Sequence, residues 1–221
     1  MTLTVHHLNA SQSERILWLC EELGLPYDLK LYQRTPILAP PEYKKLHPAG
    51  TAPIIQDGDL TLAESAACIE YISHRHAAGR LFVPPSAPAQ AYADFLYWFH
   101  WSNGTFQPTL TRALLADRAG VAPGHPALAM TEERMRSSLG ELETRLGEKD
   151  YLAGDELTAA DIMTVWSLTT MRLYYPLNLG GYPNILAYLE RIGKREAYRR
   201  AMAKGDPGME LGLGAEPPRR K

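Results

Sequence analysis

The stretch from 49 to 66, Ala-Gly-Thr-Ala-Pro-Ile-Ile-Gln-Asp-Gly-Asp-Leu-Thr-Leu-Ala-Glu-Ser-Ala, gathers residues that could hold a small charged molecule. Glu64 and Ser65 fall where a helix should begin. A helix N-terminus presents unpaired N–H groups and the positive end of the dipole, and both favour a carboxylate. Pro53 has no N–H and cannot sit in the middle of a ladder, yet the β-branched Ile54 and Ile55 follow it directly. The reading is a proline that opens an edge strand through a cis bond. Such a bond would turn the N–H and C=O of Ala52 away from their own sheet and leave them for an extended ligand. Asp57-Gly58 supplies the turn dipeptide between two short apolar strands. A backbone edge, a tight turn and a helix start, in that order, make a pocket for a small peptide.

These groups need elements to position them. Leu3 to Leu8 reads as a buried strand, and Ile16, Leu19, Cys20 and Leu23 recur at helical spacing before Gly24 stops that helix. Tyr27, Leu29 and Leu31 alternate with Asp28, Lys30 and Tyr32, the period of a half-buried second strand that should run parallel to the first. With the strands after Pro53 and at Leu60 to Leu62, and a helix carrying Ile69 and Ile72, the order is β-α-β then β-β-α, as in a thioredoxin-like domain. Residues 34 to 50 carry four prolines and little periodicity, so they read as a surface loop. Val83-Pro84-Pro85-Ser86-Ala87-Pro88 can continue no helix and marks a domain boundary. Beyond it, 89–115, 131–146, 158–174 and 185–204 show helical periodicity. Thr158-Ala159-Ala160-Asp161 is a capping box that starts a buried helix. The expected organisation is α/β plus all-α: residues 1–82 thioredoxin-like, 89–211 all-helical, and 212–221 a flexible tail.

Composition narrows the function. A formal net charge of −2 with 22% charged residues offers no basic field for nucleic acid. No segment approaches membrane-spanning length and the start is not a leader peptide, so the chain reads as cytoplasmic, with no membrane partner. Cys20 and Cys68 each fall on a helical apolar stripe and read as core residues. The seven histidines lack paired ligand spacing, so no metal is expected.

The 49–66 stretch resembles the glutathione-binding site of the cytosolic glutathione transferases. Residues 9–27, Asn-Ala-Ser-Gln-Ser-Glu-Arg-Ile-Leu-Trp-Leu-Cys-Glu-Glu-Leu-Gly-Leu-Pro-Tyr, resemble the first turn and helix of their serine-type members. Residues 97–108 and 151–162 resemble the helical domain of bacterial and fungal members. The resemblance implies a detoxifying homodimer that conjugates glutathione, as co-substrate and without a metal, to small hydrophobic electrophiles. A thiol of pKa about 8.5 is mostly protonated at neutral pH, so such an enzyme must stabilise its thiolate. In the serine-type family the activating serine lies four residues before an arginine of the first helix, as Ser11 does before Arg15. Ser13, in the same turn, is the competing choice, and a plain N-cap is the rival role for either. Glu64 and Ser65 would hold the γ-glutamyl end, and Ala52, next to Pro53, would pair its backbone with the cysteinyl residue. Thr51 stands where the family often has a charged or amide side chain for the glycyl carboxylate, which leaves that role to its hydroxyl or to Lys44, Lys45 or His47. Tyr97, His100, Trp101 and Phe106 fall where the family faces its electrophile, although an aromatic stripe at helical spacing also suits a core. Two other functions stay open on this fold: glutathione-dependent peroxide reduction, and a non-catalytic glutathione-binding or regulatory protein.

Overall fold

In the computed structural model, which describes residues 2–122 and 124–219, the central strand is β1 (Leu3–Leu8). β2 (Tyr27–Tyr32) runs parallel to it, with Leu3 opposite Tyr27 and Leu8 opposite Tyr32. α1 (Glu14–Leu23) makes the crossover and buries Ile16, Leu17, Leu19 and Cys20 completely. Gly24, at φ 66°, closes it: the left-handed conformation, easy for glycine, sends its N–H back to the carbonyls of Cys20 and Glu21.

β3 (Ile54–Asp57) pairs antiparallel with β1 on one side and with β4 (Leu60–Ala63) on the other, so the sheet order is β2-β1-β3-β4. The strand after Pro53 is therefore interior, not the edge strand expected. Its proline is tolerated because the ladder starts one residue later, where Ile54 faces both His6 and Ala63. The Ala52–Pro53 bond is cis. α3 (Ser65–His76) follows directly. The proline-rich connection contains the short α2 (Pro41–Lys44), whose Tyr43 is fully buried, donates to the His6 carbonyl at 3.3 Å and packs with Leu8, Ala39 and Ile54.

The chain divides into two compact units, Met1–Phe82 with Gly193–Glu210 and Val83–Ile192 with Leu211–Lys221. The boundary at Val83 lies where the proline-rich break is. The return of 193–210 to the first unit revises the expected 89–211 helical domain. The helical stretch expected over 185–204 breaks at Arg195, whose ψ of 121° is extended, giving α8 (Pro183–Lys194) and α9 (Glu196–Gly205). α9 lies on α1: Tyr198 meets Trp18 edge to face at 5.1 Å, Arg195 reaches Glu22 at 2.6 Å, and Arg200 reaches Glu21 at 2.9 Å.

The second unit is helical. α4 (Ala89–Trp101) continues through a π-helical turn (Ser102–Phe106) into α5 (Gln107–Arg118). Pro108 has no N–H for an i−4 bond, and the widened turn lies just ahead of it. Ser102 there donates to the Met163 carbonyl at 2.7 Å. α6 (Pro126–Glu148) precedes α7 (Ala159–Leu168), in which every residue is buried. Thr158 and Asp161 form the capping box, and the Asp161 carboxylate also accepts the Leu152 N–H at 3.0 Å and the Tyr188 hydroxyl at 3.0 Å. Residues 211–219 are not the loose tail expected. Within a 3-10 turn (Thr170–Leu173), buried Arg172 donates to the carbonyls of Gly212 at 3.1 Å, Gly214 at 2.9 Å and Ala215, and the Leu179 N–H donates to the Ala215 carbonyl at 2.9 Å. A buried guanidinium needs several acceptors, and the 212–215 carbonyls supply most of those that Arg172 finds beyond Leu168 and Leu177.

Candidate functional site

The end of β1 and the start of α1 bring Ser11 and Ser13 together. Ser13 occupies the N-cap position but makes no side-chain cap. Its Oγ turns back on β1, where it accepts the Leu8 N–H at 3.1 Å and lies 2.9 Å from Nδ1 of His7. Ser11 Oγ accepts the Ser13 N–H at 3.2 Å and lies 2.7 Å from Ser13 Oγ. Neither serine is therefore a plain cap in the sense of bonding the N2 or N3 amide. Ser13 is fully enclosed, whereas Ser11 keeps 4% of its surface open.

Behind them lies a buried polar cluster. Nε2 of His7 is 3.0 Å from Oδ2 of Asp206, and both side chains are about 1% exposed. The other Asp206 oxygen accepts the Ala10 N–H at 2.9 Å and the Asn9 side-chain amide. Arg34 donates to the carbonyls of Asn9 at 2.9 Å and Ala10 at 3.0 Å. These bonds from three directions hold a turn in which Ala10 adopts φ 46°.

Glu64 and Ser65 stand at the start of α3. Glu64 is exposed, bonds no helix N–H, and has φ 73° with ψ 118°. A glutamate in that region costs on the order of 1–3 kcal/mol, strain of the kind that concentrates at ligand sites. Ser65 is buried and its Oγ accepts from Arg15 at 2.9 Å. The same Arg15 nitrogen donates to Gln12 Oε1 at 2.8 Å, so one guanidinium ties the Ser11 turn to the α3 N-terminus. Burial draws the Arg15 pKa down to about 9, against which Glu14 pulls it up. Ser65 Oγ thus lies beside the N–H groups of the α3 N-terminus, a setting that favours an anion.

Thr51 is exposed and Ala52 half-buried, the latter packed on the Tyr43 cluster. His47 Nδ1 accepts the Ala49 N–H at 3.1 Å and is engaged in its own turn. The Lys44 stem, by contrast, runs beside Gly50: a Cβ there would lie 3.6 Å from Lys44 Cγ. The Lys44 stem thus passes beside the residue that precedes Thr51.

In the helical unit the aromatic stripe divides. Trp101 and Phe106 stack at 5.0 Å and are 4% and 0% exposed, a core pair. Tyr97 and His100 are exposed. Tyr97 donates to Glu141, and burial together with that bond raises its pKa to about 12. Tyr97, His100 and the edge of Trp101 line a cavity of about 600 Å³ with Thr105, Arg112 and Glu141, and Phe106 lies behind the wall rather than in it. Burial pushes both cysteine thiols up to about 12, which makes them poor nucleophiles. Among the described residues no group of three or more His, Cys, Asp or Glu side chains is placed to hold a metal ion.

Sequence reasoning used Arg15 only as a landmark and passed over His7, Gln12, Arg34 and Asp206. Arg15 carried a signal, a charge in line with the apolar Ile16 to Cys20 face. Asp206 carried none, since it lies far along the chain from the turn it supports.

Two family models match this chain: "Glutathione S-transferase, N-terminal domain" over residues 10–75 and "Glutathione S-transferase, C-terminal domain" over 125–191. Glutathione S-transferase 3 of Schizosaccharomyces pombe is 29% identical over 215 residues, covering 91% of this chain and 87% of its own. The crystal structure of a glutathione S-transferase from Actinobacillus pleuropneumoniae superposes with a TM-score of 0.83 at 35% identity, over 96% of this chain and 94% of the other. A glutathione transferase family member from Pseudomonas fluorescens, solved with two glutathione bound, shares the fold at a TM-score of 0.74 and 21% identity, over 91% of this chain and 92% of its own.

Proposed function

The chain belongs to the glutathione S-transferase family, and from that premise we propose that its Ser11 hydroxyl stabilises the thiolate of bound glutathione for attack on a small apolar electrophile. The protein is a glutathione transferase. The single observation that carries the Ser11 assignment is the difference in enclosure of the two serines: Ser13 is spent on Leu8 and His7, while Ser11 sits one hydrogen bond nearer the surface. A hydroxyl aimed at sulfur, beside the N-terminus of α1, favours the anion through a hydrogen bond and a dipole together.

The tripeptide is read across three groups. Ser65 and the α3 N–H groups take the γ-glutamyl α-carboxylate, and Glu64 pairs with its ammonium. The backbone of Ala52, set by Pro53, pairs with the cysteinyl residue. Lys44, with the Thr51 hydroxyl, holds the glycyl carboxylate. Tyr97, His100 and the edge of Trp101 form the electrophile pocket, with Phe106 backing the Trp101 ring. A homodimer, a cytoplasmic location and a role in detoxification complete the reading and rest on family membership. Among the described residues no helix is long and apolar enough to cross a membrane.

Turnover of a chlorinated nitroaromatic with glutathione tests the assignment. Ser11→Ala should lower kcat/KM by roughly 10–150-fold, the worth of one hydrogen bond to a charged group. It should also raise the pKa of the bound thiol, read from thiolate absorbance. An unchanged thiol pKa in Ser11→Ala would refute it. Tyr97→Ala and His100→Ala should change KM for the electrophile and leave that for glutathione unmoved.

A further inference from the structure

Three hydrogen bonds link Ser11 to a buried carboxylate in an unbroken series: Ser11 Oγ to Ser13 Oγ at 2.7 Å, Ser13 Oγ to His7 Nδ1 at 2.9 Å, and His7 Nε2 to Asp206 Oδ2 at 3.0 Å. Donor counting gives the series a direction. The Asp206 carboxylate has no proton to offer and already receives Ala10 N–H and the Asn9 amide on its other oxygen. His7 must therefore carry its proton on Nε2, which leaves the Nδ1 lone pair to accept from Ser13. The Ser13 hydroxyl has two acceptors in reach, His7 Nδ1 at 2.9 Å and the Leu8 carbonyl at 3.4 Å, and donates to the nearer; of its two lone pairs one is taken by the Leu8 N–H. The remaining one accepts the Ser11 hydroxyl. Every bond then points inward, and Ser11 Oγ, with one lone pair on the Ser13 N–H, faces outward with the other.

We propose that His7, oriented by Asp206, is the terminal acceptor of the glutathione thiol proton, which reaches it through Ser11 and Ser13. This rests on the reading that the thiol lies against Ser11. In one concerted shift the S–H bond breaks and its proton bonds to Ser11 Oγ. The Ser11 proton passes to Ser13 Oγ and the Ser13 proton to His7 Nδ1. Nothing is lost to solvent: the products are a thiolate and an imidazolium paired with Asp206. The shift also reverses the series, so that Ser13 now donates to Ser11 and Ser11 donates to sulfur. The same four groups thus accept the proton and then supply the hydrogen bond that steadies the anion.

The surroundings suit a proton held internally. α9 ends on the His7 ring with Gly205, where a Cβ would lie 3.0 Å from Nε2 and 2.6 Å from a Leu17 methyl, so a larger residue would push Asp206 off the imidazole. Ser13, at the N-cap of α1, meets the ring at Nδ1, β2 sets Leu31 opposite His7, and Asp206, at the C-cap of α9, is its charged neighbour. Arg34, from beyond β2, directs its guanidinium to the carbonyls of Asn9 and Ala10.

The test is a proton count. Glutathione binding is measured by calorimetry below the free thiol's pKa, in buffers of different ionisation enthalpy, with thiolate read by ultraviolet absorbance and S-methylglutathione setting the zero. The wild type should form thiolate while releasing close to no protons to buffer. His7→Gln and Ser13→Ala should form roughly tenfold less thiolate at the same pH, and each thiolate formed should release one proton. Ser13→Ala leaves the His7–Asp206 pair in place and carries the test alone if His7→Gln does not fold. Release of one proton per thiolate by the wild type, or an unchanged count in Ser13→Ala, overturns the relay. If the wild type binds glutathione without forming thiolate, the Ser11 reading itself falls, which is a separable result.

Discussion

Ser65→Ala isolates the carboxylate-binding half of the site from the thiol-activating half. Ser65 Oγ is buried and accepts from Arg15 at 2.9 Å at the start of α3, where the proposed function puts the α-carboxylate. Removing it deletes one hydrogen bond to a charged group, about 1.5–3 kcal/mol, which is roughly 10–150-fold in affinity for glutathione. The α3 N–H groups remain, so binding weakens without being lost. The interaction is made equally in ground and transition states, so KM for glutathione should rise while kcat stays within about twofold. Arg15 loses one acceptor but keeps Gln12 at 2.8 Å, which limits the damage to folding; a melting curve checks this. The discriminating assay is a double cycle with a glutathione analogue lacking the γ-glutamyl α-carboxylate. Wild type and Ser65→Ala should bind the analogue with the same affinity, because the partner that Ser65 serves is gone. If the variant weakens both ligands alike, the hydroxyl has a structural role and the carboxylate belongs elsewhere.

Asp161→Ala removes the acceptor for two backbone N–H groups and two hydroxyls, all buried, and should cost about 3–5 kcal/mol in urea unfolding followed by the tryptophans. Arg172→Met should free residues 211–219, detected as new cleavage there under limited proteolysis while cleavage within 3–82 is unchanged. His6 gives a pH dependence. Its folded pKa is lowered from 6.5, chiefly by burial, so protonation favours the unfolded chain; the contribution is present above the unfolded value and is lost as pH falls below about 6.5. Urea midpoints measured from pH 8 to 5 should decline for the wild type and decline less for His6→Gln, and parallel curves would refute the attribution.

Much of the frame was legible because it is local. The alternation over 27–32 and the apolar spacing after Ser13 each describe one element, and the parallel pairing follows from a helix between two strands. Thr158 and Asp161 were readable for the same reason, a cap being a four-residue device. Pro53 was misplaced because a missing N–H excludes a residue from the ladder but does not say on which side the ladder begins. Beginning at Ile54, the strand can be interior with its proline just outside. α9 was assigned to the wrong unit because periodicity reports that a helix has an apolar face and is silent on what covers it. Here Trp18 and the Glu21 and Glu22 carboxylates of α1 do. The aromatic stripe near 100 was ambiguous in the same way, and a stacking distance separated Trp101 and Phe106 from Tyr97 and His100.

The site follows the same division. Ser11, Ser13, Glu64 and Ser65 sit in short motifs because a turn and a helix start each need particular residue types in sequence. What makes those residues reactive is non-local. Ser11 is tied to the buried groups only through Ser13, and Ser13 would cap α1, as serines at that position commonly do, were its Oγ not held by His7 and the Leu8 N–H. His7 in turn has a defined tautomer because Asp206 fixes Nε2, and Asp206 reaches it because Gly205 leaves room at the end of α9. A break in the helical run at Arg195 is therefore not incidental to the chemistry: it turns α9 onto α1 and delivers a carboxylate from near the chain's end to the strand at its beginning. The consequence is measurable without substrate. Gly205→Ala should displace Asp206 from His7 and leave β1 and α1 folded, and the His7 ring-nitrogen shifts in NMR should then report loss of the Nε2 hydrogen bond. If those shifts do not move, the carboxylate does not govern the histidine.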